Sequence, residues 1–116
     1  MEPWTIYYNP KCGTCRKVLA ALEEKGVKPL VVEYLKNPPT TEELDGVLKK
    51  AGLEPEQVAR KKEGRYSQLK LAERKLSRAE WLKILVDNPI LIERPLVVKG
   101  GKAILARPPE KLEELF

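Results

Sequence analysis

The hydrophobic period of this chain changes within one short stretch, and the change falls on its only two cysteines. Residues 4–8, WTIYY, are aromatic and β-branched, which suits a strand. After NPKC, the residues Cys15, Val18, Leu19 and Leu22 recur at helical spacing, and Gly26 stands where a helix would stop. PLVVEYL then reads as a second strand, whose unbroken apolar run predicts a central place in its sheet. A strand, a helix and a strand in this order pair in parallel through a right-handed crossover. The two thiols therefore fall at a strand-to-helix junction.

The second half has its own punctuation. NPPTTEEL opens a helix, with Thr40 and Glu43 as a capping box and Leu44, Val47, Leu48 and Ala51 as the buried stripe. Gly52 closes it. Residues 53–76 are highly charged and predict short helices over one end of the sheet. Ser77 and Glu80 form a second capping box ahead of Trp81, Leu82, Leu85 and Val86, and DNP ends that helix. In ERPLVVKGGKAILARP two apolar runs flank Gly100-Gly101, a hairpin turn that allows positive φ at both positions. Pro109 starts a last helix through Leu112, Leu115 and Phe116. The order β-α-β, a helical insertion over about 40–90, then β-β-α is an α/β layout of thioredoxin and glutaredoxin type. One domain over residues 1–116 is expected.

Composition narrows the function classes. At 116 residues and 13.2 kDa, with 42% hydrophobic and 34% charged residues, the chain can bury one core without disulfides and reads as soluble. No apolar run approaches the roughly 20 residues that span a bilayer. MEPWTIYYNP lacks the cationic and apolar regions of a signal peptide, so a cytoplasmic location is expected. The net charge of +5 is spread among interspersed Lys, Arg, Asp and Glu, without the basic cluster that nucleic-acid binding needs. Ten prolines, one Met and few Asn or Gln suggest a thermostable protein.

Cys12 and Cys15 admit three readings: a redox pair, half a metal site, or two small buried residues. A closed zinc site wants four N or S ligands, and this chain has two Cys and no His. Position argues against mere packing. Cys12 would cap or begin a helix, where backbone N–H groups favour an anion, and Lys11, Arg16 and Lys17 are near in sequence. Such surroundings lower a thiol pKa and make the thiolate nucleophilic. Cys15, one turn on, could attack an adduct on Cys12. The redox pair is the best of the three readings.

Three arginines stand out: Arg60 after a short helix, Arg94 before Pro95, and Arg107 before Pro108. In a thioredoxin-type layout the Arg94-Pro95 bond enters the third strand, where such folds place a cis-proline beside the cysteine. Arg107 leaves the fourth strand towards the same end. Guanidinium groups bind oxyanions bidentately, so three together would make an oxyanion pocket. Spacing alone leaves open that they are separate surface arginines.

The segments YYNPKCGTCRKVL, YLKNPPTTEEL, ARKKE, NPILIERPLVV and ARPPEKLEEL resemble the glutaredoxin-linked arsenate reductase family (ArsC), in the group that also holds the Spx redox regulators. That resemblance implies Cys12 as the arsenate nucleophile and Arg60, Arg94 and Arg107 as the oxyanion-binding residues. It also implies no metal or organic cofactor, an external thiol donor (glutathione with glutaredoxin, or thioredoxin) and a monomer. Tyr8 stands where the family usually has His, which leaves thiolate stabilisation to the helix terminus and the arginines. Cys15 stands where the reductases usually have Ser, and CxxC is the Spx pattern, whereas RPP after the last strand and the short C-terminus match the reductase branch. The expected function is arsenate reduction. The alternatives are an Spx-like regulator that binds RNA polymerase and a general disulfide or glutathione-dependent reductase.

Overall fold

The structure is a computed structural model and describes residues 3–116. The first two residues of the expected 1–116 domain lie outside the described residues. Strand β1 (Trp4–Tyr8) leads into helix α1 (Gly13–Glu24) and strand β2 (Leu30–Glu33). Helices α2 (Thr41–Ala51), α3 (Gly64–Gln68) and α4 (Arg78–Asp87) follow, with 3₁₀ turns at Pro55–Val58, Leu71–Glu73 and Pro89–Leu91. The hairpin of β3 (Leu96–Lys99) and β4 (Lys102–Leu105) and a C-terminal 3₁₀ segment, Pro109–Leu115, complete the chain. This is the thioredoxin-like α/β fold with helices inserted between its two halves.

The four strands run in the order β2-β1-β3-β4. β1 pairs with β2 in parallel, while β1 with β3 and β3 with β4 are antiparallel. The expectation of a central second strand is wrong: β2 is an edge strand, with Leu30 65% and Val31 41% exposed. Its apolar run reflects the strand preference of β-branched residues and not burial on two faces. β3 is the inner strand of that character, with Leu96, Val97 and Val98 all buried.

Alternation along the strands divides the core into two layers. Ile6 and its partner Val97 face α1 and the C-terminal segment, packing with Val18, Leu22, Leu112 and Leu115. Tyr7, Leu96 and Val98 face the inserted helices, where Leu44, Leu48, Trp81 and Leu85 are buried. Both capping boxes form as their sequences predict. Thr40 Oγ1 accepts from Glu43 N at 3.1 Å and Glu43 Oε1 accepts from Thr40 N at 3.1 Å. Ser77 and Glu80 do the same at 3.2 and 3.0 Å.

Two details differ from the sequence expectation. In the hairpin turn Gly100 takes a positive φ of 55°, but Gly101 does not. The C-terminal helix is 3₁₀, and Phe116 is 51% exposed, its ring 5.1 Å from that of Trp4.

This topology determines what gathers at the end of β1. Because β3 runs antiparallel to β1, with Tyr7 opposite Leu96, the residues entering β3 lie beside the β1–α1 turn. Because β4 returns antiparallel to β3, with Leu96 opposite Leu105, the residues leaving β4 reach the same place. Residues 58–60 are drawn in by a bridge between Ala59 and Ile92, flanked by Arg60 N to Leu91 O and Glu93 N to Val58 O, each 2.7 Å.

Candidate active site

The β1–α1 turn builds the thiol site from its own backbone. Asn9 O accepts from Cys12 N at 3.0 Å, and Asn9 Oδ1 accepts from Lys11 N at 3.0 Å. The turn leaves Cys12 extended (φ −92°, ψ 120°) as the N-cap of α1, with its O accepting the first helical bond from Arg16 N. Its Sγ accepts from Cys15 N at 3.4 Å, so the sulfur fills the capping role that a Ser or Asp oxygen usually has. Cys12 is 6% exposed and Cys15 fully buried, and both thiols are free.

From the far end of the chain, Arg107 Nη1 lies 4.0 Å from Cys12 Sγ and donates to Arg94 O at 2.9 Å. Burial opposes ionisation of Cys12. The Cys15 backbone N–H, the Cys15 thiol, the Arg107 guanidinium and the charge of Arg94 outweigh it and bring the Cys12 pKa down to about 7. Cys15 goes the other way: burial, followed by its interactions with Cys12, pushes it up to about 12 despite a backbone hydrogen bond at Asn9. The two thiols of one motif thus differ, one ionising near neutral pH and the other staying protonated.

The charges expected to act on Cys12 are Lys11, Arg16 and Lys17, but the cationic groups that lower its pKa are Arg107 and Arg94. All three are exposed, and Arg16 Nη1 donates to Pro10 O at 2.9 Å. Arg16 and Lys17 lie on α1 and Lys11 in the turn before it, whereas the thiol lies beside Arg107 and within reach of the charge of Arg94. Tyr8, at the position of the family's His, packs with the layer of Ile6, Val18 and Leu22.

Arg60, Arg94 and Arg107 come together around one carboxylate. Glu93 Oε1 lies 3.3 Å from Arg60 Nε and 3.4 Å from Arg94 Nη1, and Glu93 Oε2 lies 3.9 Å from Arg107 Nε. Arg60 Nη1 also pairs with Glu63 Oε2 at 3.3 Å and lies 3.4 Å from Ile90 O. Arg94 is the most enclosed, its side chain 13% exposed, and its buried Nε has no hydrogen-bond partner among the described residues. The Arg94-Pro95 and Arg107-Pro108 peptide bonds are both cis.

These side chains, with Lys61 and Lys62, line a cleft of about 470 Å³. Cys12 does not line it; Arg107 does, and touches the thiol as well. An open cleft of cationic donors next to a low-pKa thiol suits an anion that the sulfur can attack. Among the described residues no group of three or more His, Cys, Asp or Glu side chains is placed to hold a metal ion. No helix there is long and apolar enough to cross a membrane.

The structure brings the two cysteines and the three arginines named from sequence to one end of the sheet and adds Glu93, which the sequence did not single out. Neighbours in an extended segment point to opposite sides, so Glu93 gave no sign of turning towards Arg94. The acidic residue in ERP was the available signal.

Fold and site together define a thioredoxin-like protein with a helix-capping thiol beside an arginine cluster. A family profile described as the ArsC family matches residues 7–115. An arsenate reductase of Rhizobium meliloti (strain 1021) is 44% identical over 112 residues, covering 97% of this chain and 80% of that protein. YfgD of Escherichia coli (strain K12), whose function is uncharacterised, is 43% identical over 111 residues, covering 95% of this chain and 93% of that one. Among solved structures, an arsenate reductase from Vibrio cholerae superposes with a TM-score of 0.94 at 40% identity, covering 99% of this chain and 98% of that one. The chain belongs to the ArsC family.

Proposed function

We propose that this protein is a thiol-dependent arsenate reductase, a cytoplasmic monomer that draws electrons from glutathione with glutaredoxin or from thioredoxin. The observation that carries the reading is the Arg107 guanidinium, which touches the Cys12 sulfur and, through Glu93, shares a cluster with Arg60 and Arg94. Relatives named arsenate reductase support the substrate.

In this reading the arginines bind the oxygens of arsenate and stabilise charge that develops on them. The Cys12 thiolate attacks arsenic(V), an S–As bond forms, and one arsenic oxygen leaves as water after protonation. A second thiolate then attacks the Cys12 sulfur. The S–As bond breaks with its electron pair going to arsenic, which leaves as arsenite, arsenic(III), while the two sulfurs become a disulfide. Cys15 is the internal candidate for the second thiol, and an external dithiol or glutathione restores the resting pair.

The test is arsenate-dependent NADPH oxidation, run with glutathione, glutaredoxin and glutathione reductase and in parallel with thioredoxin and its reductase. Turnover with at least one system, lost in Cys12→Ser, is expected. No turnover with either removes the arsenate reading, and binding of RNA polymerase in its place would assign the dithiol to regulation.

A further inference from the structure

The proposed chemistry does not use Glu93, yet Glu93 occupies the centre of the arginine cluster. Its two oxygens face guanidinium groups from three separate segments at 3.3, 3.4 and 3.9 Å, as the oxygens of a bound oxyanion would. Its backbone is held by the bridge to residues 58–60, and its side chain is 25% exposed. The contacts are longer than the roughly 2.7–2.9 Å of tight charge-assisted hydrogen bonds, so charge holds the carboxylate there more than directional bonding does. It also leaves the cluster incompletely used, because the buried Arg94 Nε has no hydrogen-bond partner among the described residues. A tetrahedral anion offers more acceptor oxygens than a carboxylate.

We propose that Glu93 is a tethered anion that occupies the arginine cluster at rest and competes with oxyanions for it. It thereby sets their affinity, and weakens doubly charged anions more than singly charged ones. This rests on the three arginines being the oxyanion site. The physical basis is Coulombic: an incoming anion meets a like charge within a few ångströms, and the repulsion doubles with a second charge on the anion. The Ala59–Ile92 bridge and the Glu93 N to Val58 O bond keep Glu93 beside the arginines, so a bound anion feels that repulsion.

The experiment is calorimetric titration of the full chain with sulfate and with nitrate at constant ionic strength, comparing the parent, Glu93→Gln and Glu93→Asp. E93Q keeps the shape and removes the charge, so it should bind sulfate about tenfold tighter, with a clearly smaller gain for nitrate. E93D keeps the charge and should stay close to the parent. Circular dichroism checks the fold, and Glu93→Met repeats the charge removal at similar length should E93Q fail to fold. Sulfate binding equal to or weaker than the parent's would show that Glu93 props the arginines, and equal gains for sulfate and nitrate would show general loosening; either overturns the proposal. If neither parent nor variant binds sulfate, the oxyanion-site reading falls and Glu93's role with it. If E93Q tightens sulfate binding but arsenate is not reduced, the Glu93 assignment stands and the arsenate chemistry falls.

Discussion

Arg107 Nη1 lies 4.0 Å from the Sγ of Cys12, although 95 residues separate the two in sequence. The same nitrogen donates to Arg94 O at 2.9 Å, so the backbone entering β3 orients the guanidinium that faces the sulfur. The contact stabilises the thiolate form and joins the thiol to the wall of the cationic cleft.

The first prediction concerns reactivity. With a Cys12 pKa of about 7 and a Cys15 pKa of about 12, alkylation by iodoacetamide should rise through pH 7 and modify Cys12 alone below pH 9. Removing a donor and its charge disfavours the thiolate, so in Arg107→Ala the midpoint should move up towards the ordinary value of about 8.5. Mass spectrometry of the alkylated peptide across pH checks both. A parent midpoint at 8 or above would mean that the thiol is not primed.

The arginines should not tolerate lysine. Arg→Lys at position 60, 94 or 107 retains a charge but loses the planar fork, and each change should cost roughly 2–4 kcal/mol of transition-state stabilisation. Steady-state kcat/KM for arsenate measures it. Any of the three that becomes Ala with kcat/KM unchanged is no part of the site.

Replacing each cysteine separates nucleophile from resolver. Cys12→Ser should be inactive with every donor. Cys15→Ser should lose thioredoxin-driven turnover and keep much of the glutathione-driven rate, because an external thiol can replace the buried one. The lower thiolate fraction of Cys15 gives the order of attack. Parent-like behaviour of Cys15→Ser with both donors would make Cys15 a packing residue.

Burial makes opposite forecasts for two leucines. Leu48 is fully buried between α2 and the sheet, so Leu48→Ala should lower unfolding free energy by about 2–5 kcal/mol. Leu30, 65% exposed on the edge strand, should change it by no more than about 0.5 kcal/mol as Leu30→Ala. Urea melts distinguish the two, and a large loss at Leu30 would contradict its place on the open edge.

What the sequence determined by itself is local. The strand-to-helix junction at Cys12, the capping boxes at Thr40 and Ser77 and the hairpin at Gly100 each depend on residues a few positions apart, whose hydrogen bonds form wherever the segment lies. The candidates Cys12, Arg94 and Arg107 were legible for the same reason, since each stands beside the end of a helix or strand. Tertiary structure alone decided that β2 takes an edge, that Arg107 and Arg94 act on the thiol, and that Arg60 reaches the cluster through the Ala59–Ile92 bridge. It also decided that Glu93 occupies that cluster, because charge acts through distances in space. A run of letters gives separation along the chain, and only the pairing of strands brings Arg107 to Cys12.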